Sequence, residues 1–547
     1  MTLLSSHGKI HCHFTGARDT WKYDRDIWNW FVPQRHGQFL PAQLTTKQTK
    51  WFGANITGVS RRMNIKRFGL LLGLLVGVFF LVGQIDVNAK VQPGSPEDDG
   101  QYQVLLPLVR ANYPLPMSVF GVEINPKLVD IVSPKLVSTK VSWVRYHGIH
   151  WNDVQVEQGV IDWTELELFE TEVLQLSKLG TTPMVIIHGT PTWARVPEHP
   201  DHICGPIRQD ALDDFAEFLT EIVSRYSKPP FNVHYWELGN EPDVDPDYIP
   251  ADFVFGCWGD DTDPYFGGEY YAEMLKVAYP AIKAADPNAR VILGGLLLDC
   301  DPANPPKSYA CSSGKFLEGV FMNGGADFVD IIAYHAYPFW LGETNVDWDL
   351  AYPKWQARGG ILLGKLELIR EVMAQYGVQK PILMNEGGLM CGYETTDSDN
   401  YADCTSEAFA GIQANHLVRM YIRTWANGID GAAWYTLNGP GWREGGLIGR
   451  KQQPRLSYYA LEFLSEKLHN GRYSHQISSA DLEGYEFFDI ENHGTRYQWY
   501  WSNSSTTYQV EVPDGTVVIY NRYGDVLPAV GGQISVGFDP ILLEITP

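Results

Sequence analysis

The chain is short of positive charge. Its 42 Lys and Arg stand against 65 Asp and Glu, a formal net of −23. So acidic a surface repels polyanions, which argues against a nucleic-acid partner. The spacings that hold zinc are missing too: there is no Cys-x-x-Cys and no His-Glu-x-x-His. Asp243, Asp245 and Asp247 open like a calcium loop, but the glycine and the terminal glutamate of such a loop are absent. No metal and no cofactor is therefore expected. Long apolar runs are also scarce. The one uncharged stretch, residues 68–83, is 16 residues long, against the roughly 20 that a spanning helix needs.

That stretch follows Lys66-Arg67 and precedes Val87-Asn88-Ala89. A basic flank, a short apolar centre and a small residue at the cut describe a secretory signal peptide over 63–89. The expected location is secreted or extracytoplasmic, with no membrane contact unless 68–83 stays as an uncleaved anchor. A signal peptide should open a chain, so Met63 is the expected start and 1–62 a non-native extension. The string His11-Cys12-His13 in that extension reads as chance. Residues 90–112 are rich in Pro, Gly and acidic groups and read as a linker. Without 1–89 the net charge becomes −30 and seven cysteines become six. An even count in an exported chain suggests disulfides. Fifteen pairings are formally possible. Nearness in sequence favours Cys300 with Cys311 and Cys391 with Cys404, leaving Cys204 with Cys257; free buried thiols are the alternative.

From residue 113 to about 470 a β/α pattern repeats. Apolar strands are expected at Ser118–Ile124, Ser142–Gly148, Pro183–His188, Val233–Leu238, Arg290–Leu296, Asp330–Tyr334, Pro381–Asn385 and Gly431–Tyr435. Amphipathic helices separate them: Leu166, Phe169, Val173 and Leu176 keep a helical spacing, as do Leu212, Phe215, Leu219, Ile222 and Tyr226. Eight such units predict an α/β fold, a TIM (β/α)8 barrel with enlarged loops. From residue 471 the pattern changes to short strands separated by Asn, Gly, Asp and Pro turns. That predicts a small C-terminal β-sandwich, with Trp499, Tyr500 and Trp501 packing against the barrel; carbohydrate binding by these aromatics is the alternative.

Polar and aromatic groups gather where the barrel strands end, the face that carries chemistry in this fold. Strand 2 ends in Arg145-Tyr-His147, strand 3 in His188 and strand 4 in Tyr235-Trp-Glu-Leu-Gly-Asn240-Glu241-Pro242. Strand 6 ends in His335-Ala-Tyr337-Pro338, strand 7 in Asn385-Glu386-Gly-Gly388 and strand 8 in Trp434-Tyr435. Glu241 and Glu386 each close an apolar strand, on strands that lie across the barrel mouth from each other. Glu237 alternates away from Trp236 and reads as an ion-pair or packing residue. Glu123 ends strand 1 as a sugar-hydroxyl ligand or a loop cap. The loop after strand 4 carries Phe253, Phe255, Trp258, Tyr265 and Phe266, which line subsites or pack the loop.

A Glu after Asn at the end of strand 4, with a second Glu ending strand 7, resembles clan A glycoside hydrolases. The Trp-Glu-Leu-Gly-Asn-Glu-Pro-Asp and Tyr-His-Ala-Tyr-Pro strings look most like family 39, with families 5 and 51 close to it. The resemblance covers residues 113–547. It implies a retaining O-glycosyl hydrolase acting on an oligo- or polysaccharide, with Glu241 as general acid/base and Glu386 as nucleophile. It further implies that Arg145 and Tyr337 hold Glu386 ionised, that Asn240 meets the sugar 2-hydroxyl, and that Trp434 is the platform under the reacting sugar. His188 and His335 would face the same sugar, unless they are structural core histidines. Glu386 and apolar neighbours such as Trp236 would raise the Glu241 pKa. A transglycosylase on the same site and a non-catalytic glycan-binding protein are the alternatives.

Overall fold

The computed structural model describes residues 118–546, apart from 126–128, 198–200, 308–309, 394–400, 479 and 492–493. The expected extension, signal segment and linker lie outside the described residues. Among the described residues no helix is long and apolar enough to cross a membrane.

Eight parallel strands form the barrel: Phe120–Ile124, Trp143–His150, Thr182–His188, Tyr235–Leu238, Arg290–Leu293, Ile332–Ala336, Ile382–Gly387 and Gly431–Trp434. They are numbered 1 to 8 in that order. Hydrogen bonding runs 5-4-3-2-1-8-7-6. Strands 5 and 6 meet through parallel bridges at Ile292–Ile331 and Leu296–Tyr334, which close the ring. Strand 5 stops three residues before the expected Leu296, because Gly294-Gly295 interrupt it. A Cβ at Gly295 would lie 2.1 Å from His335 Nε2, so only glycine lets the backbone pass that ring.

Side chains alternate between two cores, as strand geometry requires. Trp143, Met184, Tyr235, Ile292, Ala333, Leu383 and Ala433 fill the barrel floor. Val144, Val185, Trp236, Met384, Ala432 and Trp434 belong to the larger core outside that floor. The helix Leu212–Tyr226 buries Leu212, Phe215, Leu219, Ile222 and Tyr226, the stripe read from its spacing. A short parallel pair, Phe339–Trp340 with Met390–Cys391, extends the exits of strands 6 and 7; neither segment is long enough to carry a periodic signal.

Beyond the helix Leu456–Leu468, seven strands form a five-stranded antiparallel sheet and a two-stranded ribbon. The strand Gly471–Ser478 opens this region. It is a sheet edge with half-exposed polar side chains, so it shows no apolar alternation. Trp499 and Trp501 are buried in the main core, Trp499 against Phe463 of the last barrel helix. These two pack as expected, whereas Tyr500 alternates to the other face and is buried in the C-terminal sheets' own core with Ile519, Val536 and Leu543.

Candidate active site

Above the floor, the next inward layer is charged. It is organised by Arg145, which is fully buried on strand 2; that strand runs on to His150, past the expected Gly148. Its guanidinium donates in two bonds to Glu237, Nε to Oε2 at 2.8 Å and NH2 to Oε1 at 2.9 Å. NH1 donates to Glu123 Oε2 and to Glu386 Oε2, both at 2.6 Å. NH2 also donates to Asn240 Oδ1 at 2.5 Å. One planar cation thus ties the ends of strands 1, 2, 4 and 7 together, a task suited to the fixed donor fork of arginine. Glu237 is an ion-pair residue, as its alternation indicated. Glu123 is held by Arg145 and by His147 Nε2 at 3.1 Å. Burial opposes its ionisation, but the His147 and Arg145 charges keep its carboxyl below the usual value.

Glu241 stands in a left-handed backbone conformation, φ +46°, one residue beyond Asn240. Such strain in a non-glycine residue persists only where the surroundings over-determine it. Here the Glu241 N–H donates to Gly295 O at 3.0 Å, and Val244 N–H donates to Glu241 O at 3.0 Å. The loop returning at 256–258 adds three bonds, with Gly256, Cys257 and Trp258 N–H donating to Asn240, Val244 and Pro242 carbonyls. The Cys204–Cys257 disulfide fastens that loop to the one after strand 3. Cys300–Cys311 and Cys391–Cys404 close the loops after strands 5 and 7, so the structure forms the three expected pairs.

The two carboxyls meet at His335. Its Nδ1 lies 2.8 Å from Glu241 Oε1 and 3.3 Å from Glu386 Oε2. Those two oxygens therefore lie no more than about 6 Å apart. Burial, then the Arg145 and Lys365 charges, push the His335 pKa well below its ordinary value, so the ring is neutral. Tyr337 donates its hydroxyl to Glu386 Oε1 in a short bond. Burial, then the Asp243 charge, raise Glu241 to about 8. Burial, then the Glu123 charge, push Glu386 upward as well, so the Arg145 charge and the Tyr337 hydrogen bond offset only part of the burial they were expected to overcome. Trp236 has no part in this: it points outward into the helix-side core. Nor is Glu386 among the main causes for Glu241; Asp243 takes that place.

His188 is buried, and its ring sits 4.5 Å from His150 and 5.5 Å from His147. Among the described residues neither of its nitrogens has a partner, and burial holds it neutral. It lines a small cavity that Asn240, Leu238, Trp151 and Trp258 also border.

Trp434 requires a correction. It is fully buried, faces His416 of the helix Glu407–Ala426, and donates its indole N–H to Gly445 O at 2.8 Å. Strand alternation turns it away from the barrel axis, and its neighbour Tyr435 occupies the mouth instead. Tyr435 is half-buried and meets Tyr337 edge-on at 6.0 Å. Trp442 also meets Tyr337, at 5.8 Å, and Phe339, at 5.6 Å, making an aromatic rim. On the loop after strand 4, Phe255, Trp258 and Phe266 are buried and pack the loop.

Two residues beside Glu241 escaped the sequence reading. Asp243 is buried and accepts from Leu297 and Leu298 N–H at 2.9 and 2.7 Å. Lys365 is buried on the helix Ile361–Gln375 and donates to Leu297 O and, at 2.8 Å, to His335 O. Its signal was in the sequence: Ile361, Leu362, Leu368 and Ile369 flank it at helical spacing, which puts a cation on an apolar stripe.

No protein-family model matches the chain, and no curated protein does. Among solved structures it is similar to a family 39 glycoside hydrolase from the gut symbiont Bacteroides cellulosilyticus WH2, at 19% identity and a TM-score of 0.58, over 79% of this chain and 81% of that one. It is also similar to a conserved exported protein from Bacteroides fragilis, at 12% identity and a TM-score of 0.55, over 79% and 97%. A third is SrfJ from Salmonella typhimurium, at 12% identity and a TM-score of 0.50, over 79% and 90%. At these identities the likeness is one of fold. The barrel is the one that the resemblance to clan A glycoside hydrolases implied.

Proposed function

We propose that the protein is a secreted, retaining glycoside hydrolase that cleaves an O-glycosidic bond in an oligo- or polysaccharide. The observation that carries this is the contact of His335 with both Glu241 and Glu386. It brings one oxygen of each carboxyl within about 6 Å of the other, which accommodates the about 5–5.5 Å carboxyl separation of retaining enzymes. The three disulfides fit an oxidising compartment outside the cytoplasm.

Two carboxyls in one buried site retain one proton near neutrality and titrate as a pair. Arg145 and Tyr337 donate directly to Glu386, whereas Glu241 contacts a neutral imidazole, stands beside the Asp243 charge and feels Arg145 and Lys365 without a direct bond from either. The proton therefore rests on Glu241. In the first step Glu386 attacks the anomeric carbon, the glycosidic C–O bond breaks, and Glu241 gives its proton to the leaving oxygen. In the second, Glu241 takes a proton from water, which attacks the same carbon and releases Glu386. Arg145 fixes the Asn240 amide through its oxygen, leaving the NH2 to donate to the sugar 2-hydroxyl, a contact that strengthens in the transition state. Tyr435 supplies an apolar face for the sugar ring.

A panel of aryl glycosides and polysaccharides, with the anomer of the first product read by NMR, tests the reading. Glu386→Gln should lower turnover by about 10⁴-fold or more while the fold is kept. Glu241→Ala should still release 2,4-dinitrophenol, and azide should restore its turnover. A first product of inverted configuration, or an active Glu386→Gln variant, would sink the assignment.

A further inference from the structure

Residues 295–298, at the exit of strand 5, tie Glu241 to that side of the barrel mouth. The Glu241 N–H donates to Gly295 O, and its partner His335 donates its backbone N–H to Leu296 O at 2.8 Å. The next residue, Leu297, is gripped from both sides: its N–H by the Asp243 carboxylate and its carbonyl by the Lys365 ammonium. Asp243 takes the Leu298 N–H as well, and Lys365 also takes the carbonyl of His335. Both charged groups are 2% exposed, so neither is an ordinary solvated surface charge.

We propose that Asp243 and Lys365 are positioning residues of opposite charge that brace the exit of strand 5 around Glu241 and together set the pH at which Glu241 releases its proton. This rests on the reading of Glu241 as the acid/base. The groups facing Glu241 are Asp243 from its own turn, Glu123 from strand 1, Arg145 from strand 2, His335 from strand 6, Glu386 from strand 7 and Lys365 from the helix after strand 6. Arg145 already meets three carboxylates, so Lys365 is the second cation within this group. Burial raises Asp243 to about 6 and lowers Lys365 to about 8. Both are charged between those values. The Asp243 charge favours the protonated form of Glu241 and the Lys365 charge favours the ionised form. Two groups that clamp the same peptide unit thus act on Glu241 with opposite sign.

The sign separates this from a merely structural role. In protein labelled with ¹³C at glutamate carboxyls, the Glu241 resonance is the one lost in Glu241→Gln, and its titration needs no substrate. Asp243→Asn should move that titration down by about one pH unit and Lys365→Met should move it up by about one, the usual size for a neighbouring charge. Lys365→Arg should stay within a few tenths of the unmodified protein. The basic limb of kcat/KM on a phenyl glycoside, which needs acid assistance, should move the same way, while a 2,4-dinitrophenyl glycoside should show no such movement. Equal shifts in one direction, or none in folded variants, overturn the proposal. If Lys365→Met does not fold, the Asp243→Asn shift against Lys365→Arg decides. A Glu241→Gln variant that turns over the phenyl glycoside normally would instead remove the acid/base assignment, and the NMR titration would still judge the pair.

Discussion

Arg145 meets three carboxylates and an amide with one side chain, and the geometry of the mouth follows from that. Its neighbours are set by strand alternation, so a residue one position out of register is lost to the site. Trp434 and Tyr435 show this. Both are aromatic and end the same strand, yet Trp434 packs among helices while Tyr435 stands beside Tyr337. Tyr435→Ala should lower kcat/KM by about 10-fold, in line with the roughly 0.5–1.5 kcal/mol of an aromatic contact, with the loss carried by KM. Trp434→Phe should leave kcat/KM within about twofold. It removes a buried indole hydrogen bond to Gly445 O, so it should lower stability by about 1–2 kcal/mol in urea unfolding. The reverse pattern would restore Trp434 to the site.

At the scale of elements, the strands and their acidic ends were legible because short continuous apolar runs, broken by glycine or proline, mark strands buried on both faces. Glu241, Glu386, Arg145, Asn240, His335 and Tyr337 all come together as expected. What stayed hidden depends on contacts between elements. Asp243 resembled the start of a metal loop, while its actual partners are amides 54 and 55 residues away. Lys365 lies on a helix outside the barrel and reaches inward. The loop disulfides belong to this scale too. Cys204–Cys257 spans 53 residues and fastens the loop that supports Asn240 and Pro242, whereas Cys300–Cys311 spans 11. Loop-closure entropy gives ~4 kcal/mol for the first and ~3 kcal/mol for the second. Paired Cys→Ser variants should therefore rank in that order in thermal unfolding, and the Cys204/Cys257 pair alone should also lose turnover. Equal losses of stability with unchanged turnover would show that the loop after strand 4 holds its shape without the bridge.

In the whole molecule, barrel and C-terminal sheets are joined by buried charge. Arg423, on the helix Glu407–Ala426, donates to Glu483 at 2.7 and 3.1 Å, to Asp347 at 2.7 Å, to Asp349 at 3.1 Å and to Asn503 at 2.9 Å. Arg419, one turn earlier, bonds Asp347 and the Ser502 and Phe538 carbonyls. Burial opposes ionisation of Asp347 and Glu483, but Arg423 together with Arg419 for Asp347, and with the Tyr485 and Asn503 hydrogen bonds for Glu483, outweighs it and holds both below the usual carboxylate value. Burial instead lifts Asp349 to about 7, against the pull of Arg423. Asp347 and Glu483 thus stabilise the fold above their unfolded values of about 4, and that contribution fades as pH falls through their lower folded values. Asp349 acts oppositely: its contribution is full below about 4 and is lost as pH rises through about 7. Arg423→Met leaves three buried carboxyls without their shared cation, which should cost about 3–5 kcal/mol at pH 7, read from the urea midpoint. Acidifying to pH 4 should narrow the gap between variant and unmodified protein, because the carboxyls that lost their partner take up protons first. A gap that stays constant from pH 7 to pH 4 would mean that packing of Trp499 and Trp501, and not the Arg423 charge, holds the sheets to the barrel.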